Sequence, residues 1–593
     1  MILRWILALS VTVLSVNGWT CNVIMCDHTN TNNSQIYCGG DILKAVNEAA
    51  LFKDSKEFVD MPLKFDPETT IADFEAEFNG TETDQIDPVK LQKFVDDHFY
   101  PAGHELDECV PAGYSPKPDK LMAIADDNLR DWALNLNNIW SHLCRKVSDN
   151  VTLHPELHSL IEVPHEFIIP GGRFREPYYW DAYWIIKGLL ASEMYEAAAR
   201  MLLNYKSYVD RFGFIPNGGR VYYLQRSQPP MYIPMIYEFY EATKNITFVQ
   251  KLLDSAEAEL NFWDTHRTVD VSFQHGDYKL YQYNSASNVP RPESFKEDMA
   301  TANATSRQSC DLWSNIASAA ESGLDFSTRW FADKQSLETI ETKQIVPVDL
   351  NSFICWNLEI LTFLYEYVGM DTVKADQYRQ RYITHRRNLQ KVFFNETEGA
   401  WLDYNIREKG HNPTFYASLA APLFTNCYEK LDSNKAGQIY DFFKRNDAFN
   451  FTSGVPQSTL KNSAQQWDFP NGWANVNHMI IEGFRKSNSP QMQEEAFALA
   501  TKWVRGNYRV FHTTQHMYEK YNVVGAIPQA GAGGEYNVQE GFGWTNGVIL
   551  DLLVTYADRI SVSDGDKTAA AAGAYISSGL GLIALMIPMF IRA

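Results

Sequence analysis

From about residue 120 onward, apolar residues recur every three or four positions along most of the chain. Between 122 and 147 the stripe reads Leu129, Trp132, Leu134, Leu136, Ile139, Trp140 and Leu143. That is the repeat of an amphipathic helix with one buried face. The same period predicts helices near 178–191, 192–210, 231–243, 246–267, 309–321, 350–368, 373–392, 415–423, 432–445, 472–486, 491–507 and 543–558. Alternation with a two-residue period is scarce, and only 221–224 and 393–404 read as strand. A dozen helices in succession without a β-α-β rhythm predict an all-α protein. The linkers between alternate helices are long and hold most of the Gly, Pro and aromatic clusters. This pattern predicts helical hairpins set in a ring, with the long loops meeting at one rim. No fixed-period sequence repeat marks a solenoid.

The ends of the chain have other patterns. Residues 1–20 hold one arginine, an apolar run at 6–16 and small residues after it, the pattern of a cleaved secretory signal. Residues 21–118 form an extension with short helices expected near 40–52 and 88–97, packed on a catalytic domain at 119–560. Residues 561–593 carry small residues, a polar spacer and an apolar tail that ends almost at the terminus, as a GPI-attachment signal does. A single C-terminal span is the alternative. Both place the body on the extracellular face of the plasma membrane. Sequons at Asn32, Asn79, Asn150, Asn245, Asn303, Asn395 and Asn450 fit passage through the secretory pathway and N-glycosylation. The eight cysteines are an even count, which fits disulfides outside the cell. Cys21, Cys26 and Cys38 lie close enough to pair locally or with Cys109.

Composition narrows the chemistry. A net charge of −21 makes a poor partner for nucleic-acid phosphates. No Cys-x-x-Cys pair predicts a structural zinc site. There is no P-loop, no dinucleotide fingerprint and no Gly-x-Ser-x-Gly elbow.

The interhelical linkers hold clusters of one kind. The first, at 170–183, combines Gly171, Gly172, Arg173, Arg175, Glu176 and Asp181 with Phe174, Tyr178, Tyr179, Trp180 and Tyr183. Others hold Asn217, Gly218, Gly219 and Arg220; Tyr223, Arg226, Ser227 and Gln228; Arg291, Pro292 and Glu293; and Glu321, Gly323, Asp325 and Arg329. Later come Gln466, Trp467, Asp468 and Trp473, then Glu519, and then the glycine-rich 531–547 with Glu535. Aromatic faces cover the apolar faces of a sugar, and carboxylates and guanidinium forks bond its hydroxyls. Glycoside hydrolysis needs two carboxylates across the scissile bond, and no metal or organic cofactor. Residue types alone therefore point to a secreted glycosidase without choosing the acid pair.

The stretches 170–183, 466–473 and 531–547 carry a resemblance. Together they make the chain similar to the trehalase family, glycoside hydrolase family 37, over most of residues 35–558. The resemblance implies an (α/α)6 toroid, a six-hairpin barrel with long rim loops. It also implies hydrolysis of α,α-trehalose to two glucose molecules with inversion. Carried over by motif, Asp325 is the general acid and Glu519 the general base. The substrate contacts it implies are Arg173, Trp180, Asp181, Asn217, Arg226, Ser227, Gln228, Arg291, Pro292, Glu293, Gly323 and Glu535. The chain departs from the family pattern at Leu324 (often Trp), Ala532 within the glycine run, and Asn475 (often Pro). None of these removes a charged catalytic group.

Several residues have plainer readings. Trp467 and Trp473 suit loop-core packing as well as sugar platforms. Asp468 suits a loop-capping carboxylate, and Arg175 and Arg329 suit structural ion pairs. Glu321, one helical turn before Asp325, is expected behind the acid. His478 shows no ligand spacing. The rival functions are another α-glucosidase and a sugar-binding pseudoenzyme; the second conflicts with the presence of both Asp325 and Glu519.

Overall fold

The computed structural model describes residues 22–26, 33–525 and 528–563, preceded by two short strands, Ser15–Val16 and Trp19–Thr20. Most of the expected leader, Cys21, the Asn32 sequon and the tail beyond 563 lie outside the described residues.

Outer and inner helices alternate along the chain. They are α1 (Asp127–Leu143), α2 (Asp181–Ala191), α3 (Tyr195–Phe212), α4 (Tyr232–Thr243), α5 (Leu253–His266) and α6 (Val348–Tyr367). Then follow α7 (Thr372–Phe393), α8 (Ala421–Phe424), α9 (Ser433–Arg445), α10 (Ala474–Lys486), α11 (Pro490–Thr514) and α12 (Gly543–Thr555). The even-numbered helices close a ring: α2 packs on α4, α4 on α6, α6 on α8, α8 on α10, α10 on α12, and α12 returns to α2. Odd-numbered helices pack outside them, as α3 does on α4 and α11 on α10. This is the (α/α)6 toroid.

Sequence pattern sorts the two rings. In α2 every residue except Lys187 is buried, as a helix walled on all sides requires. In α7 only Ala375, Tyr378, His385, Leu389, Val392 and Phe393 are buried, a single stripe that faces inward. The ring closes tightly where α12 meets α2. A Cβ on Gly547 would lie 1.9 Å from the Trp184 carbonyl oxygen, so a side chain there would force the two helices apart. Caps set the ends: Asp126 accepts from the Leu129 amide at 3.0 Å at the start of α1, and left-handed Gly213 ends α3.

The connections differ sharply in length. Inner-to-outer turns are short, such as 192–194, 368–371 and 487–489. Outer-to-inner connections are long: 144–180, 213–231, 267–347, 394–420, 446–473 and 515–542. Every carbohydrate-type cluster read from the sequence falls within these long connections or at the helix ends they meet. The alternation of helices therefore gathers them at one rim. The connection 267–347 carries its own helix, Ser309–Glu321, which ends just before Asp325.

The N-terminal extension forms Asp41–Glu48, Ser55–Val59, Pro67–Phe78 and Pro88–His98. It is bolted to the rim by buried charges. Lys56 pairs with Asp60 at 2.6 Å and with Glu176 at 2.8 Å, and Arg220 pairs with Glu105 at 2.6 Å. Cys26–Cys38, Cys109–Cys144 and Cys355–Cys427 are bridged, and Cys310 is also disulfide-bonded. The local pairing near the start thus holds for Cys26 and Cys38, while Cys109 joins the end of α1 instead.

Three secondary-structure expectations change. The stretch 221–224 is a 3-10 turn, Val221–Tyr223, with all four residues buried and no polar face to alternate. The expected helix 246–267 splits into Ile246–Gln250 and α5. A hairpin of Thr268–Phe273 with Gly276–Tyr281 follows, which the helical reading passed over. The 393–404 stretch does supply short strands, Phe394–Asn395 and Ala400–Trp401. Among the described residues no helix is long and apolar enough to cross a membrane. Asn79, Asn150, Asn245, Asn303 and Asn450 are exposed and Asn395 is half-buried.

Candidate active site

A cavity of about 610 Å³, its open mouth included, occupies the rim over the inner ring. Arg173, Trp180, Asp181, Asn217, Arg226, Gln228, Arg291, Glu293, Gly323, Asp325, Glu519 and Glu535 all line it. Ser227 and Pro292 do not. The Ser227 amide donates to Glu321 at 2.8 Å and its hydroxyl to the Ile215 carbonyl at 2.7 Å, so its polar atoms are spent in the wall. Pro292 opens the 3-10 turn Pro292–Ser294, which presents Glu293 and Ser294 to the cavity.

The floor is apolar. Trp180 precedes α2, and Trp467 and Trp473 stack at 3.6 Å between ring centroids with planes 4° apart. Both are buried and both line the cavity, so core packing and a face toward the cavity go together here. Gly323 has φ +72, and a Cβ on it would come 2.5 Å from Trp180. This close approach needs glycine on both counts.

The walls carry paired charges. Arg226 bonds Glu293 and also donates to Asn217 at 3.0 Å. Arg291 pairs with Asp298 at 2.6 Å and with Glu535 at 2.8 Å, and Ser294 donates to Glu535 at 3.0 Å. Against the upward push of burial, Arg226 and Arg291 hold Glu293 below the usual carboxylate range. Arg173 is gripped by Asp54 of the N-terminal extension through two bonds of 2.6 Å.

Two carboxylates stand apart from these pairs. Asp325 is pushed up to about 7, chiefly by burial; Arg291 opposes the shift and Glu535 adds to it. Its carbonyl accepts from Gln466 Nε2 at 2.6 Å, and Gln466 Oε1 accepts from Lys520 Nζ at 2.6 Å. Glu519 accepts from the Tyr536 hydroxyl at 2.7 Å and from Lys520 at 3.4 Å. Asp181 lies within electrostatic reach of both: burial raises it well above its ordinary value, and the charges of Glu519 and Asp325 raise it further. One cavity therefore holds an acid poised to carry a proton and a second carboxylate served by two donors.

The plainer readings are resolved by contacts. Glu321 accepts from Arg267 at 2.6 and 2.8 Å, from the Ser227 amide, and from the Asn284 amide at 3.0 Å, which leaves it no reach into the cavity. Asp468 ties a loop, accepting from Ser463, Ser327 and Thr328. Arg329 pairs with Asp349 and Asp403, and Arg175 lies 3.4 Å from Glu57. His478 bridges Trp184 and Asp551 within the inner ring. Among the described residues no cluster of His, Cys, Asp and Glu is suited to a metal ion.

The contacts implied by the resemblance did not include Tyr536, Tyr223, Phe542, Trp544 or Ser294, which also line the cavity. Tyr536 stood beside Glu535 in the glycine-rich run, but its value depends on a contact with Glu519, seventeen residues earlier. Asp54 carried no signal, because only the fold brings it to Arg173.

Comparison with known proteins gives one consistent result. A family model described as Trehalase matches residues 50–557. A trehalase of Apis mellifera is 41% identical over 538 residues, covering 90% of this chain and 85% of the relative. A trehalase of Homo sapiens is 42% identical over 532 residues, covering 89% and 90%. Among solved structures, the neutral trehalase Nth1 from Saccharomyces cerevisiae superposes with a TM-score of 0.54 at 20% identity, covering 69% of this chain and 75% of that one. The last comparison bears on the fold alone.

Proposed function

Because this chain belongs to the trehalase family of glycoside hydrolases, we propose that it hydrolyses α,α-trehalose and water to two glucose molecules by an inverting acid–base mechanism. The observation that carries this reading is the unlike pair in one cavity: Asp325, buried and pushed up to about 7, and Glu519, bonded by Tyr536 and Lys520.

Asp325, protonated near neutral pH, gives its proton to the bridging oxygen as that bond breaks. Glu519 takes a proton from one water, which attacks the anomeric carbon from the opposite face. The attacked sugar leaves as β-glucose and the other as α-glucose. The paired arginines and the carboxylates they hold offer donors and acceptors to sugar hydroxyls, and the indole floor covers the apolar ring faces. Gln466 links the Asp325 backbone carbonyl to Lys520, whose ammonium also reaches Glu519 at 3.4 Å.

The enzyme is further proposed to act on the extracellular face of the plasma membrane, reached by the secretory pathway and held by a GPI anchor. The leader pattern, the sequons, the disulfides and the apolar C-terminal run support this. Release from intact cells by a phosphatidylinositol-specific phospholipase supports the anchor; retention on the membrane favours a spanning tail.

Substrate choice is tested with trehalose, maltose and sucrose. Glucose release from trehalose alone supports the reading, and release from maltose at a similar rate contradicts it. Asp325→Ala and Glu519→Gln should each fold and lose most of the hydrolysis. A fully active Glu519→Gln would move the base to Glu535.

A further inference from the structure

We propose that Asp54, on the N-terminal extension, is a positioning residue of the active site: it aims Arg173 at the substrate and, through the Tyr536 ring, steadies Glu519. The proposal rests on the reading above that Arg173 contacts substrate and Glu519 activates water.

The geometry is a side-on fork. Asp54 Oδ2 accepts from Arg173 Nε at 2.6 Å and Oδ1 accepts from Nη2 at 2.6 Å. Two parallel charge-assisted bonds fix the guanidinium plane. Nη1 has no hydrogen-bond partner in the protein among the described residues, and Arg173 lines the cavity. The fork thus leaves one nitrogen free to donate to a sugar hydroxyl. The same guanidinium lies 4.5 Å from the centroid of Tyr536, within cation–π range. Tyr536 in turn donates to Glu519. One arginine, held by Asp54, therefore touches both the substrate space and the group that orients the base.

Asp54 is itself held at a fixed point. It caps the helix Ser55–Val59, accepting from the Lys56 amide at 3.0 Å. Lys56 is buried between Asp60 and Glu176, and Glu176 belongs to the same rim segment as Arg173. The extension and the rim segment are thereby locked together, with Asp54 bonded to Arg173 of the cavity wall. Without the Asp54 charge, a largely buried guanidinium would turn toward the nearest carboxylates of the cavity and compete with substrate for them.

A double-mutant cycle tests this on the full-length enzyme with trehalose. Asp54→Asn keeps the helix cap and the side-chain size but removes the charge. It should lower kcat/KM about tenfold while the enzyme stays folded at the assay temperature, as its thermal midpoint reports. Arg173→Gln should lower kcat/KM about a hundredfold, and the double variant should be no worse than Arg173→Gln alone. Asp54→Ser, which keeps the cap but cannot reach the guanidinium, repeats the cycle. Losses that multiply, or single Asp54 variants within about twofold of the parent, overturn the proposal. An Arg173→Gln enzyme with parental kcat/KM removes the substrate contact itself, and the proposal with it; that outcome is distinct from a silent Asp54.

Discussion

Tyr536 donates its hydroxyl to Glu519 at 2.7 Å, and that bond joins the glycine-rich 531–547 segment to the proposed base, which stands just before the strand Lys520–Asn522. The Tyr536 ring also lies 4.5 Å from the Arg173 guanidinium and 5.2 Å from the Lys520 ammonium. Removing the hydroxyl leaves the ring in place and frees one carboxylate oxygen. Tyr536→Phe should therefore lower kcat by about ten- to a hundredfold while KM for trehalose changes little. Steady-state kinetics decide: an unchanged kcat would show that this bond does not orient the base.

The pH profile follows from Asp325. Its folded-state pKa, about 7, lies above the ordinary value of 3.8. Below about 7 the group is protonated and able to act as acid; above it the proton is lost. Trehalose hydrolysis should accordingly fall as pH rises through about 7. Stability carries the same sign. A carboxyl whose pKa is raised on folding favours the fold while protonated, and that contribution is lost between about 4 and 7. Asp325→Asn, which cannot ionise, should be more stable than the parent at pH 8, by a margin on the order of 4 kcal/mol that vanishes toward pH 4. Denaturant titrations at pH 4, 6 and 8 measure it; a pH-independent difference would contradict the assignment.

Glu321 is a structural ion-pair partner. It is fully buried and bonded on both oxygens, with Arg267 as its ion partner. Glu321→Gln leaves Arg267 buried without its charge partner and should cost about 3–5 kcal/mol of stability. The folded fraction should keep its alkaline pH limb. An inactive but fully stable variant would transfer the acid role from Asp325 to Glu321.

Gly323 sets the distance between the Asp325 segment and Trp180. An added methyl meets the indole at 2.5 Å in a backbone conformation that side chains rarely adopt. Gly323→Ala should raise KM and lower kcat together, since both the platform and the acid must shift. Parental kinetics would show that the floor yields freely.

Much of this was legible in the chain, for physical reasons that differ by element. The inner helix Asp181–Ala191 is apolar nearly all round, and the outer helix Thr372–Phe393 is striped, so periodicity and its width reveal both rings. The long connections betray the rim through their Gly, Arg and Trp content. The hairpin at 268–281 was passed over although Val269, Val271 and Phe273 alternate with Asp270 and Ser272, because the preceding helical run masks the change of period. Asp325 and Glu519 lie 194 positions apart by their numbering, and no spacing rule selects them from the 73 acidic residues. Family resemblance proposes them, and both line one cavity, which Asp181, Glu293 and Glu535 line too. Asp54 lay beyond both, because its partner is 119 residues away and only packing of the extension brings them together.

The central claim, a single displacement with Asp325 as acid and Glu519 as base, is tested most directly by the anomeric form of the first glucose released. Trehalose digested by the full-length enzyme and followed by proton NMR, faster than mutarotation, should yield α- and β-glucose in equal amounts from the first turnover. Two molecules of α-glucose per trehalose would indicate retention through a covalent intermediate and contradict the account.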